Sequence, residues 1–187
     1  MTQPAAVPAP AQAVLDFWFR EIDPKLWFAR DADFDRQLAE RFGENVEQAL
    51  AGGLAHWEDR PESRLALILL LDQFTRNLFR GTAKAFAGDA RALELTLDAL
   101  EKCMGESLPP VERKFLYMPL MHAEDAAIQE KSIAAFTALG EEDSLSYAIL
   151  HKRIIDRFGR YPHRNHVLGR PSSPEEKAFL LEPNSSF

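Results

Sequence analysis

The sequence predicts an all-α fold, a single domain of about seven to nine helices, and three observations lead there. Apolar residues recur at steps of three and four in most segments, as the face of a buried helix requires. No segment alternates apolar and polar residues over the length of a strand. Pro, Gly and helix-capping residues fall between the periodic stretches, where helices start and stop. At 187 residues the chain fits one domain and is long enough to bury a core without staples.

Residues 1–10, rich in Pro and Ala, read as a flexible arm, and residues 11–187 as the helical domain. A first helix from Gln12 presents Val14, Leu15, Trp18 and Phe19 and ends before Pro24. A second, from Asp31 to Ala51, places Phe34, Leu38, Phe42, Val46 and Leu50 on one stripe and stops at Gly52-Gly53. Asp59-Arg60-Pro61-Glu62 has the form of a capping box and opens the next helix, which Gly81 ends. Asp89 is expected to cap a helix whose buried stripe is Leu93, Leu97 and Leu100 and which Gly105 closes. Pro109-Pro110 opens a long helix that Pro119 kinks or divides. Ser144 begins a further helix with Tyr147, Leu150, Ile154 and Phe158 on one side. An irregular loop with Pro162, Gly169, Pro171 and Pro174 leads to a last short helix.

The helix after Pro61 is the organising one. Leu65 to Leu71 are apolar in every direction, which predicts a helix enclosed by protein on all sides. Asp72, Gln73, Arg76, Asn77 and Arg80 then confine polar groups to a little under half of the circumference. Charges projecting from a buried helix need partners, because an uncompensated charge away from water costs several kcal/mol or more.

A second concentration lies between His151 and Arg170, where Lys152, Arg153, Arg157, Arg160, Arg164 and Arg170 face only Asp156, a local charge of +5 in a chain of net charge -7. Clustered arginine in an acidic protein points to an anion site, since guanidinium binds carboxylate or phosphate through two parallel hydrogen bonds. The alternative is that these arginines pair internally with Asp72, Asp89, Glu124 and Asp125 and hold the loop to the core helix. His163 and His166 form an H-x-x-H, but Pro162 disfavours the helix that would align them and the neighbouring arginines repel a divalent cation, so no metal is expected. His163 is an acid/base candidate beside an anion. His122 lies close to Glu124 and Asp125, which can orient its ring for proton transfer; it can equally bond a carbonyl freed by Pro119.

The totals exclude several classes. The excess of 29 acidic over 22 basic residues argues against nonspecific nucleic-acid binding. A single cysteine, Cys103, rules out an intramolecular disulfide and a cysteine-rich zinc site. The longest apolar run is far short of the ~20 residues that span a bilayer, and no basic segment followed by an apolar core opens the chain, so a cytoplasmic protein without membrane contact is expected. The phosphate-loop, dinucleotide, serine-hydrolase and zinc-protease signatures are missing, so no cofactor is expected.

DQFTRNLFRG, YMPLMHAED and RFGRYPHRNHVLGR, in this order and together with VLDFWF and LWFARDADFD, resemble the bacterial family called domain of unknown function 924 over Val14 to Leu181. The resemblance implies an all-α, tetratricopeptide-like array of helical hairpins and carries no known activity. Its motif positions here include Asp72, Gln73, Arg76, Asn77, Arg80, His122, Glu124, Arg160, His163, Arg164, Asn165 and Arg170. The expectation is a cleft binding a small anion, with Arg76, Arg80, Arg160, Arg164 and Arg170 on phosphate or carboxylate, Asp72, Gln73, Asn77 and Asn165 orienting polar groups, and His122 or His163 with Glu124 transferring protons. The competing expectation is a peptide- or protein-binding module in which the polar cluster is purely structural.

Overall fold

The computed structural model describes residues 6–186, and every regular element in that range is helical. Nine α-helical segments occur among the described residues: α1 (Ala9–Asp16), α2 (Ala32–Leu50), α3 (Pro61–Ile68), α4 (Thr75–Leu78), α5 (Asp89–Glu101), α6 (Pro110–His122), α7 (Ala126–Leu139), α8 (Glu142–Phe158) and α9 (Pro174–Phe179). A π-helical stretch, Leu69–Phe74, joins α3 to α4, so that these two are one continuous helix. The expected arm falls for residues 1–5 outside the described residues, and α1 already begins at Ala9.

That joined helix is the axis of the fold. Leu65, Ala66, Leu67, Ile68, Leu69, Leu70 and Leu71 are at most 3% exposed, because α1, α2, α5 and α6 surround it. Phe74 continues the core into an aromatic group with Phe17, Trp18 and Phe42, ring centroids 5.2 to 6.5 Å apart. Such contacts add to the large apolar burial that aromatic rings already provide. The stripe on α2 follows its expected period, with Phe34, Leu38, Phe42 and Val46 buried and Asp31 capping the first turn through Asp33 and Phe34 N–H. After α6, the helices α7 and α8 pack against their predecessors in turn.

Several element boundaries depart from the sequence reading. Arg60, not Asp59, stands at the N-cap of α3 and makes no side-chain capping bond, Pro61 alone setting the start. Gly88 takes the N-cap of α5, which leaves the Asp89 carboxylate available for distant partners. Cys103, with φ 52°, makes the left-handed turn after α5 that Gly105 was expected to make. The helix α6 runs through Pro119 undivided to His122.

The buried faces also shift. In α5 the enclosed residues are Ala92, Leu95, Thr96 and Ala99, with Leu93, Leu97 and Leu100 only half-buried. Small side chains allow α5 to approach α3 and α6 closely enough for Thr96 Oγ1 to donate to the Leu116 carbonyl at 2.9 Å. In α8 the inner face is Ser144, Ala148, His151, Ile154 and Ile155, and Tyr147 is exposed. Ile154, Ile155, Tyr161 and Phe179 form a second apolar cluster, with Phe158 against it. Gly159, at φ +68°, turns the chain out of α8 so that the segment after it folds back towards α6. Asp72 and Arg76 of the central helix and Arg164 of the arginine-rich segment collect at the seam between the two cores, whereas Asn77 and Arg80 face α2.

Candidate functional site

The polar arc of the central helix meets two sets of partners. Towards α2, Asn77 Nδ2 donates to Asp35 Oδ1 at 2.7 Å, and Arg80 grips Asp35 through Nε and Nη2 at 3.0 and 2.9 Å. Towards the C-terminal segment, Asp72 and Arg76 enter a cluster with Asp89, His122, His151, Tyr161, His163 and Arg164. A π turn inserts an extra residue into the helix and rotates the turns after it, a device frequent at functional sites.

Asp72 is fully buried and receives three donors. His122 Nδ1–H donates to Oδ1 at 2.7 Å, Gln73 Nε2 to Oδ2 at 2.6 Å, and Arg76 Nη1 lies 3.3 Å from Oδ1. Burial opposes its charge, but Arg76 and His122 outweigh burial and hold the carboxyl well below the usual carboxylate range. An ionised acceptor fixes the proton of His122 on Nδ1 and leaves the Nε2 lone pair free of it. Burial, only partly offset by Asp72, lowers the His122 pKa, so the ring is neutral and its Nε2 carries a lone pair and no proton. The carboxylate partner of His122 is therefore Asp72 and not Glu124, as its sequence neighbourhood suggested.

Asp89 is the second hub. Arg76 binds it through Nη1 at 2.9 Å and Nη2 at 3.1 Å, and Arg164 Nη1 reaches the same carboxylate at 3.1 Å. Arg76 also donates to the carbonyl of Asp72. Burial works against the charge of Arg76, yet Asp72 and Asp89 raise its pKa; Arg164 is lowered, because burial there exceeds what its share of Asp89 returns. The Arg164 guanidinium is flanked by the rings of Phe86 and Tyr161, each centroid 4.6 Å from Cζ. His151 lies between His122 and Tyr161, ring centroids 6.0 and 5.6 Å away, and donates Nδ1–H to the Tyr147 carbonyl at 2.8 Å. Burial brings its pKa down to about 3, and burial with Arg164 brings His163 down to about 4. Three neutral imidazoles thus stand beside two guanidiniums.

The remaining candidates brace the loop. Glu124 accepts from Tyr161 N–H at 2.8 Å and from Arg170 Nη1 and Nη2 at 2.5 and 2.9 Å. Asn165 accepts from Arg170 Nε at 3.0 Å and donates to Ser172 Oγ at 3.1 Å. Arg160 is held by Glu176 at 2.7 and 2.9 Å, which pulls Glu176 down to about 2. Tyr161, fully buried, donates its hydroxyl to the Met121 carbonyl at 2.5 Å and accepts from Gln129 Nε2 at 3.0 Å. Asp125, expected among the arginine partners, instead caps α7 through Ile128 N–H.

Of the residues chosen from sequence, Asp72, Gln73, Arg76, His122, His163 and Arg164 converge, whereas Asn77, Arg80, Arg160, Glu124, Asn165 and Arg170 serve neighbouring ion pairs. Sequence reasoning missed Phe86, His151 and Tyr161 as members of the cluster; Asp89, expected as the cap of α5 and alternatively as an arginine partner, is the arginine partner. The position of His151 on the inner face of α8 was the available signal for it; Phe86 had none.

Among the described residues no group of His, Cys, Asp and Glu is placed to hold a metal ion, and no helix is long and apolar enough to cross a membrane. A groove of about 710 Å³ opens elsewhere, between α5, α6 and α7, lined by Leu97, Leu100, Tyr117, Ala134, Ala135 and Ala138 among others. Asp98, Glu101 and Lys131 also border it, but Asp98 is paired with Arg64 and Lys102 and no imidazole lines the groove, so the polar seam, although more closed, is the chemical candidate.

Over residues 14–184 the chain matches the family described as bacterial protein of unknown function (DUF924). It is similar to a solved protein of unknown function, ATU0120 from Agrobacterium tumefaciens, with 40% identity, a TM-score of 0.87, and coverage of 92% of this chain and 97% of that one. No curated protein matches it. With nearly its whole length matched, the chain belongs to the DUF924 family of bacterial proteins.

Proposed function

We propose that the seam is an acid/base site that acts on a small anionic molecule, with His122 as the base and Arg164 as the anion-facing cation. The observation that carries this reading is the buried Asp72–His122 pair, 2.7 Å between Oδ1 and Nδ1. An ionised carboxylate behind a neutral imidazole holds the ring in one tautomer and stabilises the imidazolium formed when Nε2 takes a proton. In hydrolysis or group transfer, Nε2 accepts the proton of the attacking hydroxyl or water and returns it to the leaving group. Arg76 and Arg164 share one carboxylate, Asp89, and Arg76 also lies 3.3 Å from Asp72, so it is Arg164, bonded to Asp89 through Nη1 alone, that meets an incoming anion with donors to spare. A cytoplasmic location fits such a role.

A thermal-shift screen of carboxylates and phosphate esters tests the proposal, each hit being followed for product by proton NMR. Ligand at ~100 times its dissociation constant stabilises the fold by roughly 2.7 kcal/mol. The expected result is a hit that His122→Gln still binds but no longer converts. A hit that His122→Gln converts at the wild-type rate, or a panel without hits, overturns the acid/base reading.

A second reading rests on the groove between α5 and α7. Successive packing of α6, α7 and α8 is compatible with a tetratricopeptide-like hairpin array, and an open apolar groove of about 710 Å³ accommodates an extended or helical peptide. In that case the polar seam only fastens the C-terminal segment, and the screen yields no anion.

A further inference from the structure

Arg164 differs from the other arginines around it in what its donors meet. Arg80 fills its Nε–Nη2 edge with Asp35 at 3.0 and 2.9 Å, and Arg160 fills the same edge with Glu176 at 2.7 and 2.9 Å. Arg76 and Arg170 fill their Nη1–Nη2 edges with Asp89 and Glu124. Arg164 reaches Asp89 through Nη1 alone, at 3.1 Å, and the oxygen it uses is already bound by Arg76 Nη2.

The other edge of Arg164 is open. Its Nε is buried without an acceptor, and no described residue accepts from Nη2, although the side chain is only 7% exposed. A buried donor without a partner costs about 1–3 kcal/mol, more when charged. The adjacent His163 Nδ1 is likewise buried and unpartnered, and its ring lies 5.6 Å from that of Tyr161, which also flanks Arg164. Two unpartnered polar atoms on consecutive residues beside one ring leave hydrogen-bonding capacity unused at this point of the seam. The lowered pKa of Arg164 agrees, since burial without a full counter-charge disfavours the cation.

We propose that the Nε–Nη2 edge of Arg164 binds the carboxylate of a small organic acid, with His163 Nδ1 meeting a polar group beside that carboxylate. This names the ligand class for the acid/base site of the seam and rests on that reading only for the location. The two donors of the edge are parallel and in plane, matching the two oxygens of a carboxylate. Phe86 and Tyr161, with centroids 4.6 Å from Cζ, crowd the space outside the edge itself. A tetrahedral phosphate brings further oxygens out of that plane, towards aromatic faces that carry negative charge. Asp35 and Glu176 fill the equivalent edge of Arg80 and Arg160 with this same group.

The test is a titration of nitrogen-15-labelled wild-type protein with acetate, then with inorganic phosphate, at constant ionic strength. The Arg164 Nε–H signal is assigned by its loss in Arg164→Lys, and the imidazole nitrogens of His122 are followed in the same samples. The expected result is a saturable shift of Arg164 Nε–H with acetate, and phosphate binding about tenfold weaker or less. A shift that stays linear, no shift, or phosphate binding as tightly as acetate overturns the proposal. The wild-type signal answers even if Arg164→Lys fails to fold, the assignment then coming from the Phe86→Leu variant through the change in ring-current shift. His122 reports separately: acetate on Arg164 with His122 protonated on Nε2 removes the acid/base reading alone. His122 protonated on Nδ1, with Arg164 silent, removes the carboxylate site alone.

Discussion

Replacing Gly88 by Ala tests how the site is assembled, because the geometry makes the sign of the effect decisive. Gly88 has φ -89° and ψ -9°, which Ala adopts without strain. Without a clash, the loss of unfolded-state entropy stabilises the protein by about 0.4–1 kcal/mol. A Cβ at Gly88 stands 2.3 Å from the Leu71 carbonyl oxygen and 2.9 Å from Leu71 C and Cα. All three atoms belong to the backbone of the π-helical stretch, so no side chain can rotate away. Relief requires α5 to retreat from the central helix, and overpacking of this kind costs about 1–3 kcal/mol. For a domain of this size that corresponds to a fall in Tm of about 2–12 °C. The retreat carries Asp89, one residue further on, away from Arg76 and Arg164, to which it now bonds at 2.9 to 3.1 Å. Calorimetry of Gly88→Ala against wild type reads the effect directly. An unchanged or raised Tm refutes the claim that close approach of these two backbones positions Asp89.

The buried seam yields two further outcomes. His151 and His163, held at about 3 and about 4 against about 6.5 when unfolded, bind protons more readily in the unfolded chain. Their contribution to stability is present above pH 6.5 and is lost as pH falls from there towards 3, each steepening the loss by up to about 1.4 kcal/mol per pH unit. Urea midpoints between pH 7 and pH 4 should therefore fall, and less steeply in His151→Gln; equal slopes would count against neutral burial of His151. Tyr161→Phe removes the hydroxyl that donates to the Met121 carbonyl and accepts from Gln129. With those partners left buried, the loss should be about 1–3 kcal/mol by urea denaturation, and a change within error would show that neither bond matters.

The helical plan was legible because it rests on local information: the step of apolar residues on α2, the all-round apolar run of α3, and prolines at helix starts. The errors occurred where bulk was a poor guide to burial. In α5 the largest side chains, Leu93, Leu97 and Leu100, were expected inside, but Ala92, Thr96 and Ala99 face α3 and α6 because close helix contact selects small residues. Tyr147, expected on the buried side of α8, is exposed, and Ala148 and His151 lie inside instead.

The site was legible as a set of residues and illegible as a set of pairs. Charge counting located the arginines and a pool of acceptors, of which Asp89 and Glu124 pair with loop arginines as expected, Asp72 pairs with Arg76 and Asp125 caps α7. It did not give which arginine meets which, since Arg164 and Asp89 are 75 positions apart and Arg80 and Asp35 are 45. The single arc drawn at 3.6 residues per turn assumed an unbroken α-helix. The π-helical stretch Leu69–Phe74 lies within it and has no signature in a run of leucines. Asp72 and Arg76 meet one set of partners while Asn77 and Arg80 meet Asp35, Arg80 from the turn that follows α4. An arc of a little under half the circumference is wide enough to face two neighbours at once, Arg76 and Asn77 standing about 100° apart at 3.6 residues per turn. The width of that arc, together with the end of the helix at Leu78, lets a buried carboxylate–imidazole pair and a structural ion pair be drawn from successive turns of one element.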